Sequence, residues 1–101
     1  MSDSRIRHMV IFCLKYGTEA GETEKFLSDG QAILSAIPMV EKFEVMRQIS
    51  AKNDYDFGFS MEFTDQAAYD AYSQHPAHVG FVEQRWKKEV TRFLEIDFQH
   101  R

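Results

Sequence analysis

The chain of 101 residues carries 12 Lys and Arg against 16 Asp and Glu, so its net charge of -4 offers no cationic footprint for nucleic acid or an anionic membrane. An apolar fraction of 44%, with nine Phe, excludes wholesale disorder, and the length suits one domain, expected over residues 1–101. The lone Cys13 leaves no intrachain disulfide, the opening Met1-Ser2-Asp3-Ser4-Arg5 has no signal-peptide core, and no apolar run approaches the ~18–20 residues that cross a bilayer, so a reducing, cytoplasmic setting is expected.

Ile6 to Lys15 is rich in β-branched and aromatic residues and reads as a strand. Its period of two sets His8, Val10, Phe12 and Leu14 against Met9, Ile11 and Cys13. Both faces are apolar and both need cover. Gly17 ends the strand, and Thr18 to Thr23 supply turn and cap chemistry. Phe26, Leu27, Ile33, Leu34 and Ile37 then recur at helical spacing until Pro38. Gly30, inside that helix, costs about 1 kcal/mol relative to Ala and points to a close approach to the sheet. Val40 to Ile49 reads as a half-polar strand near an edge, with Phe43, Val45 and Arg47 opposite Glu44, Met46 and Gln48.

After a polar turn over Ser50 to Asp54, the run Tyr55 to Phe63 sets Phe57, Phe59, Met61 and Phe63 against Gly58, Ser60 and Glu62. Thr64 is the expected N-cap of a helix beginning at Asp65 and carrying Tyr69 and Tyr72. Proline disfavours helical backbone in the residue before it and suits the first turn of a helix. His75-Pro76 therefore marks a helix break, with His75 capping or facing solvent and His78 in the first turn of the restart. That helix carries Phe81, Val82, Arg85 and Trp86 and runs to Glu89. Finally, Val90 to Phe98 sets Arg92, Leu94, Ile96 and Phe98 against Thr91, Phe93, Glu95 and Asp97.

The order β-α-β-β-α(α)-β predicts an α+β, ferredoxin-like subunit, one antiparallel sheet with its helices on one face. Met9, Ile11 and Cys13 are then left on an uncovered apolar face. A homodimer pairing sheet to sheet is the expected answer, with these three residues at the interface. Cys13 reads as a packing residue there, since nothing near it in sequence would lower its pKa.

The strings His8-Met9-Val10-Ile11-Phe12, Phe63-Thr64-Asp65 and above all Tyr72-Ser73-Gln74-His75-Pro76-Ala77-His78-Val79 resemble the stress-responsive A/B barrel (Dabb) family. The likeness runs from His8 to about Phe98. It implies a dimeric α/β barrel of ferredoxin-like subunits. The family includes plant stress proteins without accepted catalysis, bacterial proteins of unassigned role and a plant polyketide cyclase, olivetolic acid cyclase. Carried over from the cyclase, Tyr72 and His78 would form an acid–base pair and His8 would be a second active-site His. Phe57 stands where the cyclase has a further cavity His, which implies a more apolar cavity here.

The chemistry suits these residue types independently. Aldol closure of a poly-β-keto chain needs a base for the carbon acid and a donor for the enolate oxygen. A neutral imidazole serves as the first and a phenol as the second, and the positive end of a helix would help keep His78 neutral. Val10, Phe12, Phe57, Phe59, Met61, Phe81 and Trp86 would wall a site for a small apolar carbonyl compound. Two readings stay open. One is a cofactor-free cyclase or lyase. The other is a non-catalytic stress-related or ligand-binding dimer in which His78 braces a helix junction, His8 is a satisfied core histidine and the Phe stripe is core. They differ in whether a cavity on the order of a few hundred Å³, reached from outside, lies between helices and sheet and is lined by His8, Tyr72 and His78. His75 and His78 lack a third ligand, so no metal site is expected. With no phosphate loop, dinucleotide fingerprint or Ser–His–Asp pattern, no cofactor is expected either.

Overall fold

The computed structural model describes residues 4–101; Met1, Ser2 and Asp3, which the sequence reading includes in its domain and its leader argument, lie outside the described residues. The elements are β1 (Ile6–Leu14), α1 (Gly21–Ser35), β2 (Glu41–Arg47), β3 (Phe57–Phe63), α2 (Gln66–Gln74), α3 (Pro76–Phe81), a π-helical stretch Val82–Trp86, a last turn α4 (Lys87–Glu89), and β4 (Val90–Phe98). The strands form one antiparallel sheet in the order β2-β3-β1-β4. The most apolar strands, β1 and β3, are central and the more polar β2 and β4 are edges. This is the ferredoxin-like α+β arrangement.

Register decides which side chains share a face. His8 lies between Met61 and Asp97, Val10 between Phe59 and Glu95, and Phe12 between Phe57 and Phe93. These line the inner face, toward the helices. Phe12, Phe26, Phe59 and Phe63 are fully buried there. The Phe12 ring lies 4.9 Å from both Phe59 and Trp86 and 5.9 Å from Phe26, so this aromatic knot joins the sheet to α1 and the π-helical stretch. Truncating such a ring to Ala costs roughly 3–5 kcal/mol. Gly30 marks the close approach: a Cβ there would sit 2.8 Å from Phe59 Cζ and 3.2 Å from Phe81 Cζ.

On the outer face Met9 opposes Ser60 and Ile96, and Ile11 opposes Gly58 and Leu94. Leu94, Ile96 and Phe98 are each about half exposed, at 49%, 45% and 52%. Glu62, expected on the polar side of β3, is buried instead. Arg7 reaches it at 3.0 Å, with Arg5 and Lys42 at 3.6 Å. Burial alone would raise its pKa, but the Arg7 hydrogen bond and the three cations hold the carboxyl below its ordinary value.

Several boundaries differ from the sequence reading for local reasons. The N-cap of α2 is Asp65, not Thr64: its carboxylate accepts from the Ala68 N–H at 2.8 Å, and the helix starts at Gln66. Helix α1 begins at Gly21 with no side-chain cap, because its N-cap residue is Ala20; Thr23, inside the first turn, donates its hydroxyl to the Gly17 carbonyl. β2 is shorter than Val40 to Ile49, with a register shift between Glu41 and Glu44 and a left-handed Lys42 at φ 52°. Ile49 is left exposed. The His75 backbone is extended, and its Nδ1 accepts from the Ala77 N–H, capping α3 with Pro76 in the first turn. Among the described residues, no helix is long and apolar enough to cross a membrane.

Candidate functional site

Between the inner face of the sheet and the helical layer lies a cavity of about 310 Å³. Its floor is His8, Val10, Phe59, Met61, Phe93 and Glu95 from the strands. Its roof is Leu34 from α1, Tyr72 from α2, His78 and Phe81 from α3, then Val82, Trp86 and Lys87. Phe93 faces Phe12, four residues along β1 from His8, which is about 13 Å at the rise of a strand. The polar groups His8, Tyr72 and His78 therefore gather at one end, and Trp86 with Phe93, 5.6 Å apart, closes the other.

At the polar end the three expected residues meet. Tyr72 is buried, its ring 4.4 Å from His78, 6.4 Å from His8 and 5.0 Å from Phe63. The Pro76 break makes this possible, since it turns α3 back so that one helix end faces the next. Burial, reinforced by Tyr69 and Glu95, raises the Tyr72 pKa, so the phenol stays protonated and serves as a donor. The His78 Nδ1–H donates to the Ser73 carbonyl at 3.1 Å, which leaves Nε2 with its lone pair. Burial lowers the His78 pKa, and nearby His8 lowers it further, against the Ser73 bond and Glu95. The downward shift of His78 has burial as its first cause; α3 itself runs on without a break through Val82–Trp86 into Lys87–Glu89, with His78 in its first turn.

Two groups missed by the sequence reading complete this end. Asp97 Oδ1 lies 2.6 Å from His8 Nδ1, and the Tyr69 hydroxyl donates to Asp97 Oδ2 at 3.0 Å. Their signal was faint: Tyr69 precedes Tyr72 by three residues, one helical turn, and Asp97 shares the alternation of Phe93 and Glu95. Glu95 and Lys87, also on the cavity wall, were likewise not singled out.

Of the expected wall, Val10, Phe59, Met61, Phe81 and Trp86 line the cavity and Phe12 and Phe57 do not. Phe12 shares their face but is sealed beneath Phe59, Phe26 and Trp86. Phe57 lies at the far end of β3, paired with Arg47, in a depression shared with Asp56 and Glu24. Position 57 therefore does not set this cavity's polarity, contrary to the expectation drawn from the resemblance. Met9, Ile11 and Cys13 sit on the opposite face of the sheet, half-buried, with the Cys13 thiol donating to the Asp54 carbonyl. Among the described residues, no three His, Cys, Asp or Glu side chains gather as metal ligands would.

Four antiparallel strands with helices over one face, and a cavity held between them, define a ferredoxin-like α+β subunit. The sequence profile of the Stress responsive A/B Barrel Domain (Dabb) family matches residues 6–100, and the chain belongs to that family. It is 57% identical to a Dabb family protein with a ferredoxin-like fold from Mesorhizobium loti, with a TM-score of 0.92 over 93% of this chain and 94% of that one. The hydroxynitrile lyase from Passiflora edulis shares the fold at 10% identity, with a TM-score of 0.84 over 98% of this chain and 95% of that one. So does a dimeric ferredoxin-like protein of unknown function from Thermobifida fusca, at 18% identity and a TM-score of 0.79 over 95% and 91% of the two chains. No protein of curated function matches the sequence.

Proposed function

We propose that the protein is a cofactor-free acid–base catalyst of the cyclase or lyase type, acting on a small carbonyl compound with an apolar tail. The observation that carries this reading is the polar end of the cavity, where a buried phenol and two imidazoles share one wall, with ring centroids 4.4 and 6.4 Å from the phenol. A neutral His78 accepts at Nε2 the proton from carbon beside a carbonyl. The C–H electron pair moves into the carbonyl oxygen, and the Tyr72 hydroxyl donates a hydrogen bond to the enolate that forms. In a cyclase the enolate carbon then attacks a second carbonyl of the same chain, and the new alkoxide takes the proton from His78. The aromatic wall toward Trp86 and Phe93 holds the rest of the molecule. A volume of about 310 Å³ suits a small ligand. Lyase chemistry on the same fold, in the Passiflora edulis enzyme, is in keeping with the reaction class.

One observation favours a second reading. The His78–Ser73 bond ties α3 to the end of α2, a brace that a non-catalytic binding protein would need equally. The two separate on a panel of β-polyketide thioesters assayed with wild type, Tyr72→Phe and His78→Ala. Catalysis predicts a loss of about 10²-fold or more in each variant. Wild-type turnover surviving both changes ends the acid–base assignment, and saturable binding without turnover gives the second reading. Under either reading, we propose that two copies pair through the outer face of the sheet around Met9, Ile11 and Cys13.

A further inference from the structure

We propose that Asp97, pinned by Tyr69, fixes His8 as the tautomer protonated at Nδ1, so that its Nε2 is offered to the cavity and His8 becomes the second proton carrier of the site. The catalytic part rests on the reading above; the tautomer does not. His8 is buried, with 6% of its surface exposed, and it lines the cavity beside Tyr72.

The protons follow from what each partner is able to do. An ionised carboxylate only accepts, so the 2.6 Å contact requires a proton on His8 Nδ1. The Tyr69 hydroxyl lies 3.0 Å from that same nitrogen and 3.0 Å from Asp97 Oδ2. It cannot donate to a nitrogen that already bears hydrogen, so its proton goes to the carboxylate. Asp97 thus receives two donors, one on each oxygen, and whenever the ring carries a single proton its lone pair lies at Nε2. Among the described residues no other hydrogen bond reaches the His8 ring.

Tyr69 is needed because Asp97 sits on an edge strand with 43% of its side chain exposed. A carboxylate so placed is free to turn to water. The hydroxyl holds it against His8, and burial together with the Asp97 bond and charge raises the Tyr69 pKa, so the donor persists. Asp97 is thereby a positioning residue. Both cavity histidines would then offer Nε2 as acceptor, their ring centroids 4.4 Å (His78) and 6.4 Å (His8) from that of Tyr72. Two such acceptors in one cavity suit a reaction that removes a proton at one atom and returns it at another.

The test is the tautomeric state of His8 and His78 in the whole protein labelled with ¹⁵N-histidine, read at neutral pH from long-range ¹H–¹⁵N correlations. Wild type is expected to show His8 protonated at Nδ1. In Asp97→Ala the His8 signals are expected to move toward the Nε2-protonated form, with Tyr69→Phe intermediate and Asp97→Glu restoring the wild-type pattern. His78, held by Ser73, is the internal control for an intact fold and is expected not to move. On any substrate found to turn over, Asp97→Ala is expected to lower kcat at least about tenfold while KM stays within about twofold. A wild-type His8 protonated at Nε2, or a His8 pattern indifferent to Asp97→Ala in a folded protein, overturns the proposal. Because the spectrum needs no substrate, failure to find turnover counts against the catalytic reading and leaves the tautomer assignment to be decided separately.

Discussion

Under the proposed function, their surroundings would sort His78 and Tyr72 into base and donor. Desolvation disfavours the charged form of each, which lowers the imidazole and raises the phenol, so the pair spans neutral pH with one lone pair and one donor. The groups facing His78 are His8, Tyr72, the Ser73 carbonyl and Glu95, and the net shift is downward from 6.5. A base works only when deprotonated, so the acid limb of the rate is expected to fall below pH 6.5, and an NMR titration of the His78 ring should trace the same midpoint. A midpoint above 6.5 would show that Glu95 and Ser73 outweigh burial. The same shift has a sign for stability. The folded pKa is depressed, so the contribution is complete above 6.5 and is lost as pH falls through the folded value. Sequence made His8, Tyr72 and His78 visible because they belong to local strings. It did not make Asp97 visible as a partner of His8, since that contact depends on the register of β1 against β4. A slip of one residue would turn Asp97 to the other face.

The helical layer carries the differences between a filled core and an open site. The Pro76 break was readable, because proline acts on its immediate neighbours. The π-helical stretch was not, since Phe81, Val82, Arg85 and Trp86 satisfy a helical period with or without an extra residue in the turn. Its hydrogen bond from the Lys87 N–H to the Val82 carbonyl spans five residues. Through this stretch Arg85 reaches Asp29 on α1 at 2.7 Å, while Trp86 packs on Phe12 and lines the cavity. Gly30 sets how near α1 comes. In Gly30→Ala the new methyl would meet the Phe59 ring at 2.8 Å, and that ring is hemmed in by Phe12 at 4.9 Å and Phe43 at 5.3 Å. Overpacking costs about 1–3 kcal/mol and better helix propensity returns about 1 kcal/mol at most. A net loss of roughly 1–2 kcal/mol is expected in urea unfolding. Relief would come by pushing Phe59 toward the cavity it lines, so ligand affinity should fall with stability. A variant as stable as wild type would mean that α1 has room to lift.

At the scale of the molecule, one face of the sheet is covered by helices and the other carries a stripe without such cover. Alternation in β1 was enough to place Met9, Ile11 and Cys13 on that second face, and register adds Leu94, Ile96 and Phe98 beside them. Cations flank the stripe, with Arg5, Arg7 and Lys42 around Glu62 and Arg92 toward the opposite end. Extended apolar surface of this kind marks interaction sites in proteins that otherwise keep theirs scattered. Ile11 lies at the centre of the stripe, between Gly58, which has no side chain to shield it, and Leu94. In a lone subunit Ile11→Asp would place a carboxylate at a half-open surface. Between two paired sheets it would bury that charge without a partner, at a cost of about 3–5 kcal/mol per subunit. Wild type is therefore expected at twice the 11.8 kDa chain mass by size exclusion with light scattering at micromolar concentration, and Ile11→Asp near the mass of one chain. Lys52→Glu, a larger change of charge (two units against one) on the exposed β2–β3 turn, should leave the dimer intact. A wild-type mass of 11.8 kDa would remove the dimer, and an Ile11→Asp dimer as tight as wild type would move the pairing to another surface. The inner cavity lies on the other side of the sheet from this stripe, so Tyr72 and His78 are expected to keep their pKa directions in the separated subunit, which NMR titration of the His78 ring in Ile11→Asp would check.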